Sequence, residues 1–141
     1  MIDSFELQRF VDAQEGAFDT ALAELRAGRK QSHWMWFVFP QLAGLGRSPT
    51  AQFYAIRSAS EARAFLAHPL LGARYREAVA AVRQWAGTRD AARIFREIDA
   101  IKLRSSLTLF EAVSGDPLFA DALTEFFDAP DPETLRLLKQ G

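Results

Sequence analysis

The sequence predicts a mainly α-helical protein, a compact single-domain bundle of short helices with at most one or two very short strands. Three observations predict this class. Apolar residues recur at helical spacing, proline and glycine stand where helices begin and end, and no long stretch alternates between apolar and polar residues. Because 141 residues is an ordinary length for one domain, we expect residues 1–141 to share one core.

Three helices are predicted in the first half of the chain. One has an apolar face followed by a glycine where a left-handed C-terminal cap is needed: Phe18, Ala21, Leu22, Leu25 and Gly28. Pro49 behind Ser48 is typical of the first turn of a helix, which we expect to run to Ile56. Ser58 and Glu61 have the spacing of a capping box and predict a helix that ends at residue 67.

Four further helices are predicted in the second half. The two longer ones have apolar faces that end before a glycine: Leu71, Tyr75, Ala78, Val79, Val82 and Trp85 before Gly87, and Ile101, Leu103, Leu107, Phe110 and Val113 before Gly115. We expect Asp99 to cap the second of them. Asp116-Pro117 and Asp131-Pro132 each predict another helix start. The segments 37–39 and 94–95 are the candidates for very short strands.

Composition excludes several function classes. The chain has no cysteine and two histidines, which excludes cysteine-ligated zinc and multi-histidine metal sites, so we expect no metal and no cofactor. A net charge of −1 argues against binding of duplex nucleic acid. Residues 1–6 lack the basic and apolar pattern of a signal peptide, and no apolar run has membrane-spanning length. We therefore expect a cytoplasmic protein that does not bind membranes.

The first candidate site is an aromatic run, residues 33–41. It places four large rings in six positions: Trp34, Trp36, Phe37 and Phe39. Neither helical spacing nor strict alternation puts all four on one buried face, so we expect at least one to line a cleft or an interface. Tryptophan rings stack well on nucleobases. The alternative is that the run is core, because aromatic side chains also dominate cores.

His33 stands at the polar end of this run, where an imidazole could act as a general acid or base. The alternative is that it caps a helix or binds a backbone carbonyl group.

The second candidate site is the segment Gly44-Leu45-Gly46-Arg47-Ser48, directly before the helix that starts at Pro49. Glycines allow the backbone to approach a ligand, a helix N-terminus offers free amide donors to a phosphate, and Arg47 could add a bidentate contact. The dinucleotide fingerprint itself is absent, because no strand precedes the segment and the third glycine is missing. The alternative is a plain turn.

The third candidate site is the helical segment 99–110. Spacing of three and four residues places Asp99, Lys102 and Ser106 on one face. Lys102 could bind a phosphate, with Ser105 and Ser106 as additional donors. The alternative is that Asp99 caps the helix, Lys102 pairs with it at the surface, and the serines allow a close helix contact.

Three motifs along the chain resemble those of a bacterial family. Residues 33–41 (HWMWFVFPQ), 44–48 (GLGRS) and 102–110 (KLRSSLTLF) resemble the domain-of-unknown-function family eighteen-ten, in a match of nearly full length. The resemblance implies a mainly helical fold and no established activity. A more remote, fold-level resemblance is to the NADAR superfamily, which is implicated in removing ADP-ribose from modified bases. Two stretches depart from the expected patterns: Gln52-Phe53-Tyr54 replaces an acidic motif, and Arg96 stands where a glycine is expected.

These features together predict binding of an ADP-ribose-like or related nucleotide ligand, and hydrolysis of an N-glycosidic bond if the protein is an enzyme. The expected ligand-binding residues are Trp34, Trp36, Gly44, Gly46, Arg47, Ser48, Lys102, Ser105 and Ser106, and the expected catalytic residues are His33 and Asp99. The alternative is a non-enzymatic module that binds a protein partner through exposed aromatic residues. A ligand pocket requires the three candidate segments to converge, whereas an interface requires a flat apolar patch.

Overall fold

The computed structural model describes residues 3–140, so residues 1, 2 and 141 of the predicted domain lie outside the described part. That part contains nine helices and only one strand-like feature, a parallel bridge between Leu42 and Ile56. The helices are α1 (Gln8–Gln14), α2 (Ala17–Arg26), α3 (Met35–Val38), α4 (Pro49–Phe53), α5 (Ala59–Ala67), α6 (Leu71–Arg83), α7 (Ala91–Ser114), α8 (Pro117–Phe126) and α9 (Pro132–Gln140). The predicted mainly α class is confirmed.

The local signals at helix starts are correct at four positions. The side chains of Ser48, Ser58, Asp116 and Asp131 accept hydrogen bonds from the backbone N–H groups of the first turns of α4, α5, α8 and α9. The first of these helices is shorter than predicted. It ends at Phe53 and not at Ile56, because the chain turns back there to pair Ile56 with Leu42.

The longest helix departs from the prediction at its start. Asp90 caps α7, with its Oδ1 accepting from the N–H of Arg93 at 2.8 Å, so the expectation that Asp99 is the cap is wrong. Within α7, Arg96 has φ 67° and ψ 168°, which interrupts the helix and explains why its N-terminal part shows no continuous apolar face. Both predicted strand segments are helical or end a helix: Phe37 and Val38 lie in α3, and 94–95 lie in α7.

Tyr75 of α6 lies at the centre of the hydrophobic core, and its side chain is 1% exposed. Four phenylalanine rings have their centroids within 6.1 Å of its ring: Phe39, Phe65, Phe110 and Phe119. Burial raises the pKa of the Tyr75 hydroxyl, which is hydrogen-bonded to the hydroxyl of Ser106 at 2.9 Å. One core therefore joins α3, α5, α6, α7 and α8.

The connection between α2 and α3 crosses α7 and carries the aromatic run. Gly28 has φ 74°, and a Cβ built there would lie 2.7 Å from the Trp85 ring, so only glycine allows the chain to leave α2 at this point. Two residues later the N–H of Lys30 donates to the carbonyl of Ile94 at 2.8 Å. The crossing places residues 30–39 against the part of α7 that contains Asp99 and Lys102. Over residues 3–140, no helix has both the length and the apolar character needed to cross a membrane.

Candidate functional site

The three candidate segments meet at the side chain of Trp36. The Nζ atom of Lys102, in α7, lies 3.9 Å from the centroid of the Trp36 ring. A Cβ built on Gly46 would lie 3.7 Å from the same ring and 2.5 Å from the Cβ of Ala51. The glycine loop therefore passes directly beside Trp36, where a side chain would clash with α4. The three segments therefore meet at this tryptophan, whereas the groove beside it is lined by Trp36 and by neither Lys102 nor Gly46.

An open groove of about 770 Å³ adjoins Trp36, and we call it the aromatic groove. It is lined by His33, Trp36, Phe37, Pro49, Thr50, Phe53 and Tyr54. The Tyr54 ring lies between its neighbours, with centroids 5.5 Å from Phe37 and 4.8 Å from Phe53, and the Phe53 side chain is 55% exposed. Exposed aromatic faces in a concave surface are suited to stacking on a planar ligand.

A buried arginine fixes the backbone on both sides of Tyr54. Arg9 donates from Nε to the carbonyl of Phe53 and from Nη2 to that of Ala55, both at 2.9 Å. Its remaining donors bind the carbonyls of residues 5 and 6 and the carboxylate of Glu61, the last at 2.7 Å. All five guanidinium N–H groups are thus used. Arg9 therefore has a structural role, holding the segment that presents Phe53 and Tyr54.

A cluster of two lysines and one aspartate holds Lys102 in place. The carboxylate of Asp99 lies 2.9 Å from the Nζ of Lys30 and 3.1 Å from that of Lys102. Burial opposes ionisation of Asp99, but the hydrogen bonds from Lys30 and Lys102 outweigh it and lower the pKa of the carboxyl group. Because Asp99 stays ionised, it holds Lys102 against Trp36 and is not suited to act as a general acid.

Trp34 belongs to the core and not to the aromatic groove. Its side chain is 1% exposed, its ring packs against Phe39 and Phe95, and its Nε1 donates to the carboxylate of Glu24 at 2.9 Å. The interpretation of Trp34 as a ligand-stacking wall is corrected, because no ligand reaches this ring without opening the core.

The same glutamate organises the start of the aromatic run. Burial raises the pKa of Glu24, but hydrogen bonds from the Ser32 hydroxyl, the N–H groups of Gln31 and Ser32, and the Trp34 indole outweigh it. They lower the pKa to about 2. Glu24 thereby fixes residues 31–34 and orients the run so that Trp34 points inward.

Ser105 and Ser106 do not face the aromatic groove. Ser106 is fully buried against Tyr75, and Ser105 is 3% exposed and donates from Oγ to Asp131 at 3.1 Å. Neighbouring Arg104 donates to the carbonyls of Ala129 and Pro130. The expectation that the two serines bind ligand is corrected: this motif joins α7 to α6 and to the segment before α9.

The other predicted residues lie around the aromatic groove to different degrees. His33 is exposed and lines it. Ser48 caps α4, since its hydroxyl accepts from the N–H of Ala51 at 3.1 Å, and Arg47 is exposed. Gly44, with φ 102°, lies against Leu137 of α9. Residues 44–48 form a turn in which acceptors are used internally, since the Ser48 hydroxyl and the Arg47 carbonyl accept from α4. Phosphate binding by Gly44 and Ser48 therefore stays a prediction.

Comparison with known proteins identifies the family. A family model described as "Protein of unknown function (DUF1810)" matches residues 4–138. The chain belongs to this family. It is also similar to a protein of known structure, the conserved hypothetical protein Rv1873 from Mycobacterium tuberculosis, with 45% sequence identity and a TM-score of 0.94. That match covers 97% of this chain and 99% of the other. No curated protein matches the chain, and the resemblance to the NADAR superfamily is not confirmed.

Sequence reasoning missed most residues that build the aromatic groove. Phe53 and Tyr54 were singled out only as a departure from an acidic motif, and the positions of Arg9 and Lys30 depend on partners far away in sequence. One signal was available in the sequence. Gln52, Phe53 and Tyr54 are three adjacent large side chains, and they follow the helix start that Pro49 predicts. Within residues 3–140 no group of three or more histidine, cysteine or carboxylate side chains is placed to hold a metal ion.

Proposed function

We propose that the aromatic groove binds a nucleotide-like ligand, with an ADP-ribose derivative as the leading class. One observation carries the proposal: Trp36 is a wall of the groove and is at the same time in contact with Lys102 and close to Gly46. Lys102 lies over one face of the Trp36 ring, so a base would stack on the aromatic surface that faces the groove. The ammonium group is the element that the phosphates need.

The charge beside the groove supports an anionic ligand. Two ammonium groups, on Lys30 and Lys102, face the single carboxylate of Asp99, which leaves a net charge of +1 in this cluster. The Lys30 side chain is 7% exposed, so its ammonium group is held in position and cannot move toward solvent. Lys102 is the more accessible of the two and would provide the contact to phosphate.

Hydrolysis of an N-glycosidic bond is the extension of this proposal. His33 would be the acid or base, because it is the imidazole among the side chains that line the aromatic groove, where the only other titratable group is the Tyr54 phenol. Asp99 would not accept or donate the proton. It would contribute through the position of Lys102, since both of its contacts are to ammonium groups.

Thermal shift with a panel of NAD, ADP-ribose, nucleotides and an ADP-ribosylated base tests the binding proposal. A ligand that binds only the native state raises the melting temperature. We expect this rise to disappear in Trp36→Leu and to persist in the matched control Trp85→Leu, whose indole donates to Leu25 away from the groove. If no ligand in the panel raises the melting temperature, the proposal is refuted.

The role of Lys102 is tested separately with Lys102→Met, which keeps the stem and removes the charge. We expect weaker binding of nucleotides and unchanged binding of the matching nucleosides. Equal affinity of the variant and the wild type for a bound nucleotide would remove the phosphate role of Lys102. Hydrolysis is tested by measuring the release of free base by chromatography. His33→Ala is the control.

A protein-binding module is the second candidate, and the exposure of Phe53 favours it. A phenylalanine that is 55% exposed beside Tyr54 is typical of an interface anchor. The two candidates differ in a measurable way: Phe53→Ser would abolish capture of a protein partner, whereas nucleotide binding depends on Trp36.

A further inference from the structure

A second surface, formed by α7 and α8, combines exposed isoleucines with a groove. Ile98 and Ile101 lie on α7 directly after the break at Arg96, and their side chains are 71% and 64% exposed. They are the two most exposed of the large apolar side chains in residues 3–140. Three residues apart on a helix, they project from neighbouring positions. We call this pair the α7 ledge.

The groove beside the ledge has a volume of about 480 Å³ and lies between α7 and α8. Its apolar lining comes from Ala100, Ile101, Phe126 and Phe127, and Ala100 is 7% exposed. One residue of the ledge, Ile101, is therefore part of the groove, and the other, Ile98, projects outside it. A projecting side chain, Ile98, therefore lies next to an apolar groove on the same surface.

The charges on the two sides of the ledge are opposite. Before it lie Arg93, Arg96 and Glu97, all exposed, with a net charge of +1. Glu125, Asp128 and Arg104 line the groove, with a net charge of −1. In the described chain, no ion pair includes Arg93, Arg96 or Asp128, whereas Glu125 is paired with Arg83. Among the described residues, the surface thus has two unpaired arginines and one unpaired glutamate on one side, and the unpaired Asp128 on the other.

We propose that this surface binds a second copy of the chain about a two-fold axis. Ile98 of each copy inserts into the α7–α8 groove of the other, and Arg96 of each copy faces Asp128 of the other. A two-fold interface uses the same patch on both subunits and therefore requires such self-complementarity. The proposal is independent of the nucleotide-binding proposal, because none of these residues lines the aromatic groove.

Sedimentation velocity of the full chain from about 10 μM to about 1 mM tests the proposal, a range that detects a dissociation constant as high as about 1 mM. We expect the mass to rise with concentration from the monomer value of 15.8 kDa toward twice that value. Ile98→Lys weakens the association by more than about tenfold. The matched control Leu135→Lys, also at an exposed apolar residue, leaves it unchanged. Both positions are exposed enough for the variants to fold, which circular dichroism checks.

Charge reversal provides the second test, because it distinguishes a direct contact from a general loss of apolar surface. Arg96→Glu weakens the association, and the combined Arg96→Glu and Asp128→Arg variant restores it. A wild-type protein that stays monomeric over the whole range overturns the proposal. The α7 ledge would then be a binding surface for a different protein. Association that is unchanged in Ile98→Lys, or not restored by the double reversal, also overturns it.

Discussion

Replacing Arg96 by glycine is expected to stabilise the protein. With φ 67° and ψ 168°, Arg96 occupies a backbone region that is essentially restricted to glycine, which costs about 1–3 kcal/mol in any other residue. Glycine removes this strain but loses about 0.5–1 kcal/mol through the greater freedom of the unfolded chain. No hydrogen bond or ion pair of the Arg96 side chain occurs in residues 3–140, so little else is lost. The net gain is about 1 kcal/mol, near the middle of a range of about 0–2.5 kcal/mol.

Thermal and urea unfolding measure the effect. For a chain of this size a gain of about 1 kcal/mol corresponds to a rise in melting temperature of about 3–5 °C. The measurement is made at low protein concentration, so that any self-association does not contribute to the measured stability. Arg93→Gly is the matched control, because Arg93 is exposed in the same helix with helical backbone and should lose about 1 kcal/mol. The reasoning is refuted if Arg96→Gly is no more stable than the wild type.

Three further predictions concern buried polar contacts. Glu61→Leu leaves the Arg9 guanidinium buried without its carboxylate and should cost about 3–5 kcal/mol in urea unfolding; a loss below about 1 kcal/mol would contradict the ion pair's role. Ser106→Ala should cost about 1–3 kcal/mol, most of which Tyr75→Phe in the same chain should recover, and simple additivity would argue against the contact. The pKa of Glu24 is lowered from 4.5 to about 2, so its contribution is complete above pH 4.5 and is lost as the pH falls through 2. The stability difference between wild type and Glu24→Gln should therefore shrink over that interval, and a pH-independent difference would contradict the assignment.

The local features of the fold could be predicted from the sequence. Ser48, Ser58, Asp116 and Asp131 were identified as helix caps, because a cap depends on a few adjacent residues. Asp99 also stands before an apolar helical face, but its carboxylate binds Lys30 from another segment, and the cap of α7 is Asp90. Sequence spacing cannot distinguish a cap from a carboxylate that a distant lysine holds.

The candidate site could be predicted only in part. Trp36 and Lys102 were both expected, and the structure places them in contact. Trp34 differs from Trp36 in environment because Glu24 provides an acceptor for its indole inside the core. The exposure of Phe53 depends on Arg9, which is 44 residues away in sequence and binds the Phe53 carbonyl. Such long-range polar contacts leave no periodic pattern in the sequence.

The central claim, that the aromatic groove binds a nucleotide-like ligand beside Trp36, is tested most directly by indole N–H signals in a ¹⁵N–¹H correlation spectrum. The chain has three tryptophans, and Trp36→Phe assigns one of the three signals. In a titration with ADP-ribose, the signal of Trp36 should shift and saturate. Those of Trp34 and Trp85 should stay in place, because their indoles are bound to Glu24 and to the Leu25 carbonyl. A Trp36 signal that stays unchanged at saturating concentrations of ADP-ribose, NAD and mononucleotides would contradict the claim.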